Sequence, residues 1–254
     1  MMLDKSDYSY KIASAEKTID LLEILVNCDG DLTVSEIAKH LFTHTSSADR
    51  YLLTLLDMGY VAKNNETGKF HMTDKIIQLN NTLIAHHPLT KLYLDTMHTL
   101  AYEFDTTAHI MSFLGNKTIT LHKDLQTHNI AFNNAFFDPK RYNYCSAPGK
   151  LLLSTLSERD LQDYFSKAKF IKFTKTTLTN EKAVREDLEK IKKRGYSIHN
   201  EEWLTGNLTI SFPLRVNGII KGAMSFMCDI EMKDKMLNTE TIEYIKAKLV
   251  EPER

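Results

Sequence analysis

Within eight residues the chain gathers four hydroxyls and a guanidinium: Thr43, Thr45, Ser46, Ser47 and Arg50. Hydroxyls and open backbone N–H groups at a helix start bind phosphates and base edges, and an arginine pairs a phosphate. His44 and Tyr51 belong to the same stretch. Lys63 and Lys69, on either side of Asn64-Asn65-Glu66-Thr67-Gly68, place two further cations nearby in sequence. Together these nine residues form a candidate surface for double-stranded DNA.

Other groupings carry less. Ten histidines, among them His86-His87, His109, His122 and His128, raise the question of a metal. Only the first two are close in sequence, and adjacent side chains on a helix do not share a face, so no metal site is expected. Cys145-Ser146 lacks the surroundings of a nucleophile elbow. No G-x-x-x-x-G-K-[ST] loop is present. Ala147-Pro148-Gly149-Lys150 offers backbone and a lysine to an anion. Glu201-Glu202 is either an acid/base pair or a solvated turn charge, with the second expected, and the lone Trp203 caps the core or edges a pocket. No cofactor and no catalytic residue are predicted.

The elements that hold the hydroxyls follow from spacing. Thr33 followed by Glu36 fits a capping box. Val34, Ile37, Ala38 and Leu41 then recur at helical intervals. A polar break over 42–45 leads into a second helix at about 46–58, with Leu52, Leu55 and Leu56 inward and Gly59 ending it. Residues 60–63 and 69–72 are short alternating runs about a turn, a β-hairpin. Helix, turn, helix and hairpin make a winged helix-turn-helix, whose second helix presents a polar first turn to the major groove. From spacing alone, an ordinary helical hairpin stays open. A helix at 15–27, capped by Ser14 and broadly apolar through Ile19, Leu22, Ile24, Leu25 and Val26, packs behind the pair.

Downstream, residues 73–85 read as a connecting helix ended before Pro88. Its apolar Ile76, Ile77, Leu79 and Leu83 suit either dimer contacts or plain packing. A helix over 89–103 precedes strands at 106–114 and 117–123 about Gly115-Asn116. Residues 125–143 form a long Asn-rich loop. Helices at 148–155, 158–167 and 180–194, strands at 207–214 and 219–228, and a helix at 239–250 complete an α+β pattern.

Composition bounds the partners. The 254 residues suit one or two domains, and the net charge of −1 gives no global basic signature. The first 73 residues carry seven Lys/Arg against eleven Asp/Glu, so any DNA contact must rest on local charge. Three widely separated cysteines, Cys28, Cys145 and Cys228, are expected as free thiols in a reducing cytosol. No run approaches the ~18 apolar residues of a membrane span, and MMLDKSDYSYK has no apolar signal core.

This arrangement resembles the IclR family of bacterial transcriptional regulators over about residues 14–250. The likeness rests on Ser47, Arg50, Leu52, Leu55, Gly59 and Tyr60, then on Ser146-Ala147-Pro148-Gly149-Lys150-Leu151-Leu152. Thr174, Thr177, Leu188, Arg194-Gly195-Tyr196, Glu202, Gly206 and Pro213 continue it. The resemblance implies a winged helix-turn-helix at 1–73, a linker helix at 74–87 and a GAF-like effector domain with an antiparallel sheet at 88–254. It implies a homodimer or homotetramer on a pseudo-palindromic operator and a small organic acid as effector. By position it lines the effector site with Ala147, Pro148, His199, Asn207, Thr209, Ser225 and Met227. His199 stands where members commonly carry aspartate, Met227 where they carry a small polar residue, and Pro148 removes a backbone N–H. Phe42 takes a turn position that is often glycine.

The expectation is therefore a cytoplasmic, ligand-responsive regulator, a repressor without enzymatic activity. The alternative is a metabolite-binding protein or enzyme whose winged helix makes protein contacts. A histidine at 199 able to take charge predicts that a carboxylate binds more tightly as pH falls.

Overall fold

The Thr33 capping box forms: Thr33 N–H donates to Glu36 Oε2 at 2.8 Å, and Glu36 N–H donates to Thr33 Oγ1 at 3.3 Å. Chain following this start makes α2 (Val34–His40), and α3 (Thr45–Asp57) comes after the turn. In this computed structural model residues 11–125 and 143–251 are described. Two compact units divide the chain, 1–83 and 84–254.

In the first unit α1 (Ala13–Asn27) begins two residues ahead of the expected start. Ile12 is its cap, with no side-chain bond, so Ser14 does not cap it. Its apolar face is narrower than predicted: Leu21 and Leu25 are buried, while Ile19 and Val26 are exposed. Those two leucines pack with Ile37, Leu41, Ala48, Leu52 and Leu55 into a trihelical core. The hairpin β1 (Val61–Lys63) and β2 (Phe70–Met72) pairs in antiparallel register, Lys63 opposite Phe70. Gly59, at φ 75°, reverses the chain between α3 and the hairpin in a conformation that glycine adopts without steric cost. Helix α4 (Lys75–His86) buries no residue, and the division between the units falls inside it.

The second unit opens with α5 (Pro88–Phe104). Pro88 sits at the first helical position, where its missing N–H costs nothing, and His87 accepts from Leu89 N–H. A five-stranded antiparallel sheet follows: β3 (Thr107–Leu114), β4 (Lys117–Asp124), β5 (Ser197–Asn200), β6 (Asn207–Val216) and β7 (Ile219–Asp229), in the order β4-β3-β7-β6-β5. The edge strand β5 escaped the sequence reading because four residues, three of them polar, carry no alternation. Helices α6 (Ala147–Ser154), α7 (Glu158–Lys167), α8 (Glu181–Arg194), α9 (Lys233–Leu237) and α10 (Thr239–Lys248) complete the unit.

The period of two gives the sheet two characters. Ala108, Ile110, Leu208, Ile210, Phe212, Met224, Phe226 and Cys228 point to one face and pack with α5 and α10 residues such as Met97 and Ile245. The opposite face, the side α6 covers, carries polar side chains. The Asn-rich loop expected at 125–143 lies, for residues 126–142, outside the described residues.

Candidate functional site

In the first unit the structure arranges the predicted DNA-facing residues around the start of α3. Thr45, Ser46 and Arg50 are exposed, and Thr43 and Ser47 are partly so. His44 caps α3 by backbone only, with no side-chain hydrogen bond, and no acidic residue occupies the first turn. The first amides of α3 are therefore left without a carboxylate, which is the electrostatic condition for binding phosphate. Ser47, Arg50 and Tyr51 also edge a groove of about 380 Å³ shared with Ser14, Ala15 and Thr18 of α1. Tyr51 packs against the trihelical core, so its ring is less available than sequence suggested. Lys63 extends over the Phe70 ring at 5.5 Å, and Lys69 closes the wing, its carbonyl accepting from Asn64 N–H at 2.8 Å.

In the second unit, register brings distant residues into rows on the polar face. Ser197 pairs with Ser211, Ser211 with Ser225, and Ser225 with His109. One step along, His199 pairs with Thr209, Thr209 with Met227, and Met227 with Thr107. Directly paired residues share a face, so these side chains form one layer. Ala147 and Pro148, buried at the start of α6, adjoin it: Ser197 Oγ donates to the Ala147 carbonyl. Five of the seven residues named for an effector, His199, Asn207, Thr209, Ser225 and Met227, thus share one face of the sheet, with Ala147 and Pro148 at its side; Asn207, two positions before Thr209, is fully buried and internally satisfied. Its Nδ2 donates to the Cys228 carbonyl at 3.4 Å, and its Oδ1 accepts from Thr209 Oγ1 at 3.1 Å.

His199 is 1% exposed. Its Nε2 accepts the Trp203 backbone N–H at 3.0 Å. That bond requires an unprotonated Nε2, which puts the ring proton on Nδ1. Nδ1 is buried and has no hydrogen-bond partner among the described residues. Burial first, and the Lys150 charge second, push the ring's pKa down to about 3. The sequence expectation of a chargeable His199 is corrected accordingly: it is a neutral donor at physiological pH.

Lys150 is corrected too. It is 1% exposed, and its Nζ donates to Glu202 Oε1 at 2.5 Å and meets Asp187 Oδ2 at 2.8 Å. The ammonium is committed inside the protein and is not offered to a ligand. Glu202 is no solvated turn charge; it is buried, and burial raises its pKa against the lowering effect of Lys150. Thr174 and Thr177 tie the Glu201 and Glu202 carbonyls, fixing this loop beside the sheet edge. Gly149 of the same helix start allows close packing, since a Cβ there would lie 2.4 Å from Asn143 Cα.

Sequence reasoning missed His109 as part of the layer. Its Nε2 is buried without a partner among the described residues, and burial, then Lys123, lower its pKa to about 4. Cys145 is buried and its thiol pushed up to about 12, the opposite of a nucleophile. Among the described residues no cluster of three metal-ligating side chains occurs, and no helix is long and apolar enough to cross a membrane.

Residues 14–65 match the family described as IclR helix-turn-helix domain, and residues 81–251 match Bacterial transcriptional regulator IclR C-terminal. The HTH-type transcriptional regulator BhcR of Paracoccus denitrificans is 27% identical over 205 residues, covering 80% of this chain and 72% of its own. The acetate operon repressor of Salmonella typhimurium is 25% identical over 204 residues, 77% of this chain and 72% of that one. Among solved structures, an IclR homologue from Microbacterium hydrocarbonoxydans complexed with 4-hydroxybenzoate shares the fold. Its TM-score is 0.71 at 18% identity, over 93% of this chain and 98% of that one. The helix-turn-helix and the antiparallel second unit thus have their counterparts in regulators of transcription, and the chain belongs to the IclR family of bacterial transcriptional regulators.

Proposed function

We propose that this regulator is a cytoplasmic repressor whose second unit binds a small organic acid and thereby changes operator binding by the first. One observation carries the effector reading: the buried Nδ1–H of His199, with no partner among the described residues, in a layer of hydroxyls on the sheet. A buried donor left unmade is costly, and an oxygen acceptor on a ligand would satisfy it. Ser225, whose hydroxyl is shared with Ser211 at 2.7 Å, and Thr209, whose hydroxyl donates to Asn207, give the layer its polar character, while Met227 and Pro148 add apolar surface. The combination favours a carboxylic acid with an apolar or aromatic body over a densely hydroxylated sugar acid.

On this reading residues 1–73 bind DNA, 74–87 link, and 88–254 hold the effector and the oligomer contacts. Thr43, His44, Thr45, Ser46, Ser47, Arg50, Lys63 and Lys69 face a pseudo-palindromic operator, with Tyr51 supporting them. Exposed Ile77, Leu79 and Leu83 on α4 suit a second copy of the chain. Calorimetric titration with a panel of keto, hydroxy and aromatic acids, 4-hydroxybenzoate among them, tests the site in wild type and His199→Ala. Equal affinities across the panel would remove His199 from it. A salt-dependent shift of the DNA upstream of its own gene tests the operator half.

A further inference from the structure

We propose that Phe42 is a specificity-determining DNA contact, its ring reading the C5-methyl of thymine beside the first turn of α3. The inference rests on the DNA-binding role of the first unit and extends it to a particular side chain and base.

Phe42 is out of place by two measures. Its φ is 50°, a left-handed backbone that bulky residues rarely adopt and that glycine would take without penalty. Its side chain is also 93% exposed, the most exposed large apolar residue among those described. Neither the turn nor the core needs a phenyl ring here. Strained, non-glycine conformations persist where the surroundings over-determine them, and they gather at functional sites.

The main chain beneath the ring is nonetheless held in a defined place. Phe42 N–H donates to Lys39 O at 3.1 Å, and Thr43 N–H donates to Ala38 O at 3.0 Å, closing the end of α2. Leu41 before it and Ala48 after it are buried in the trihelical core. The backbone that carries Phe42 is thereby locked to α3, three residues ahead of Thr45. Around it stand exposed hydroxyls and amides that suit phosphates and polar base edges.

An aromatic ring in that company has one natural partner. A recognition helix enters the major groove, where the thymine methyl is the apolar group and phenylalanine is a known match for it. Apolar wedges driven between base steps belong to the minor groove. A single ring among hydroxyls is too small a patch for a protein interface.

The test begins with selection of duplexes from a random pool by full-length wild type, Phe42→Ala and Phe42→Gly. Each thymine of the wild-type operator is then replaced by deoxyuridine and the affinities are measured. Loss of one buried methyl should weaken wild type about fourfold at one or two positions per half-site. Both variants should bind the thymine operator more weakly and be insensitive to uracil at those positions. Phe42→Gly, suited to the positive φ, should melt no lower than wild type, which separates the contact from folding. Equal affinities, unchanged uracil sensitivity in Phe42→Gly, or a uniform loss on operator and unrelated DNA would each overturn the proposal. If wild type enriches no sequence, the DNA-binding role of the first unit falls, and the role of Phe42 with it.

Discussion

Thr45, Ser46 and Arg50 stand exposed on α3, whereas Ser225, Thr209 and His199 on the sheet are 2%, 5% and 1% exposed. The first group is made by neighbours in sequence: a cap, a turn and one helical turn. The second is made by register, which sets His199 of β5 beside Thr209 of β6 and Met227 of β7. A surface site of the first kind meets its ligand's charge in water, where each contact is weak and screened. A buried layer of the second kind keeps its polar groups dry, so each is either satisfied or costly. Substitutions should therefore separate binding from stability in the first unit and couple them in the second.

The largest effect is expected where the buried site is most tightly tied. Lys150→Ala removes the ammonium between Glu202 and Asp187 and leaves buried carboxylate without compensation. Breaking such a pair costs about 3–5 kcal/mol, read as a fall in the urea midpoint at unchanged slope. A loss below about 1 kcal/mol would mean that water reaches this pair freely and that the contrast between the two sites is overdrawn.

Next comes the ligand. His199→Ala should weaken a carboxylic-acid effector about tenfold or more, because a neutral buried donor is lost. The same titration repeated at two pH values distinguishes the donor from a cation. A neutral His199 gives nearly the same affinity at pH 6 and pH 8; a charged one would tighten binding toward pH 6.

What the sequence reveals follows the same division. The capping box, the wing and the polar first turn of α3 are local, and each stands in the chain as a readable spacing. Gly115-Asn116 and Asn217-Gly218 likewise announce their hairpins. His109 was legible only as one histidine among ten, since its place beside Ser225 depends on a pairing between residues more than a hundred positions apart. Glu202 looked like a turn charge because nothing local signals that Lys150, 52 residues earlier, lies 2.5 Å away. The resemblance to the IclR family supplied by position what periodicity does not encode, but it left the tautomer and charge of His199 to the structure.

Acid should sharpen the contrast by a smaller amount. Burial lowers His199 to about 3 and His109 to about 4, so both bind protons less readily folded than unfolded. The unfolded chain takes up more protons as pH falls below about 6.5. Stability from these histidines is therefore complete above that value and is lost as pH falls toward the folded values. Each contributes a slope of at most about 1.4 kcal/mol per pH unit. Glu202, raised by burial, acts in the opposite sense as pH rises through its folded value. The difference between wild type and His199→Ala isolates the histidine: the variant should lose less stability between pH 6.5 and pH 5. Parallel losses would place the imidazole in water.

The smallest change in stability belongs to Arg50. Its side chain is exposed on α3, and replacing an exposed residue away from caps and cores shifts unfolding by no more than about 0.5 kcal/mol. Binding should respond differently. If the guanidinium pairs one phosphate, Arg50→Ala weakens operator and unrelated duplexes alike and reduces the slope of log affinity against log salt by about one. Sequence preference should persist, since phosphate contacts position the protein while base contacts select the site. Preference is then left to the hydroxyls of Thr45 and Ser46 and to the Phe42 ring. A variant that keeps the full salt slope would place Arg50 off the DNA, and the groove shared with α1, where Arg50 meets Ser14 and Thr18, would be its working environment. A variant that loses preference but keeps the slope would instead make Arg50 a reader of base edges, through the paired acceptors of guanine in the major groove.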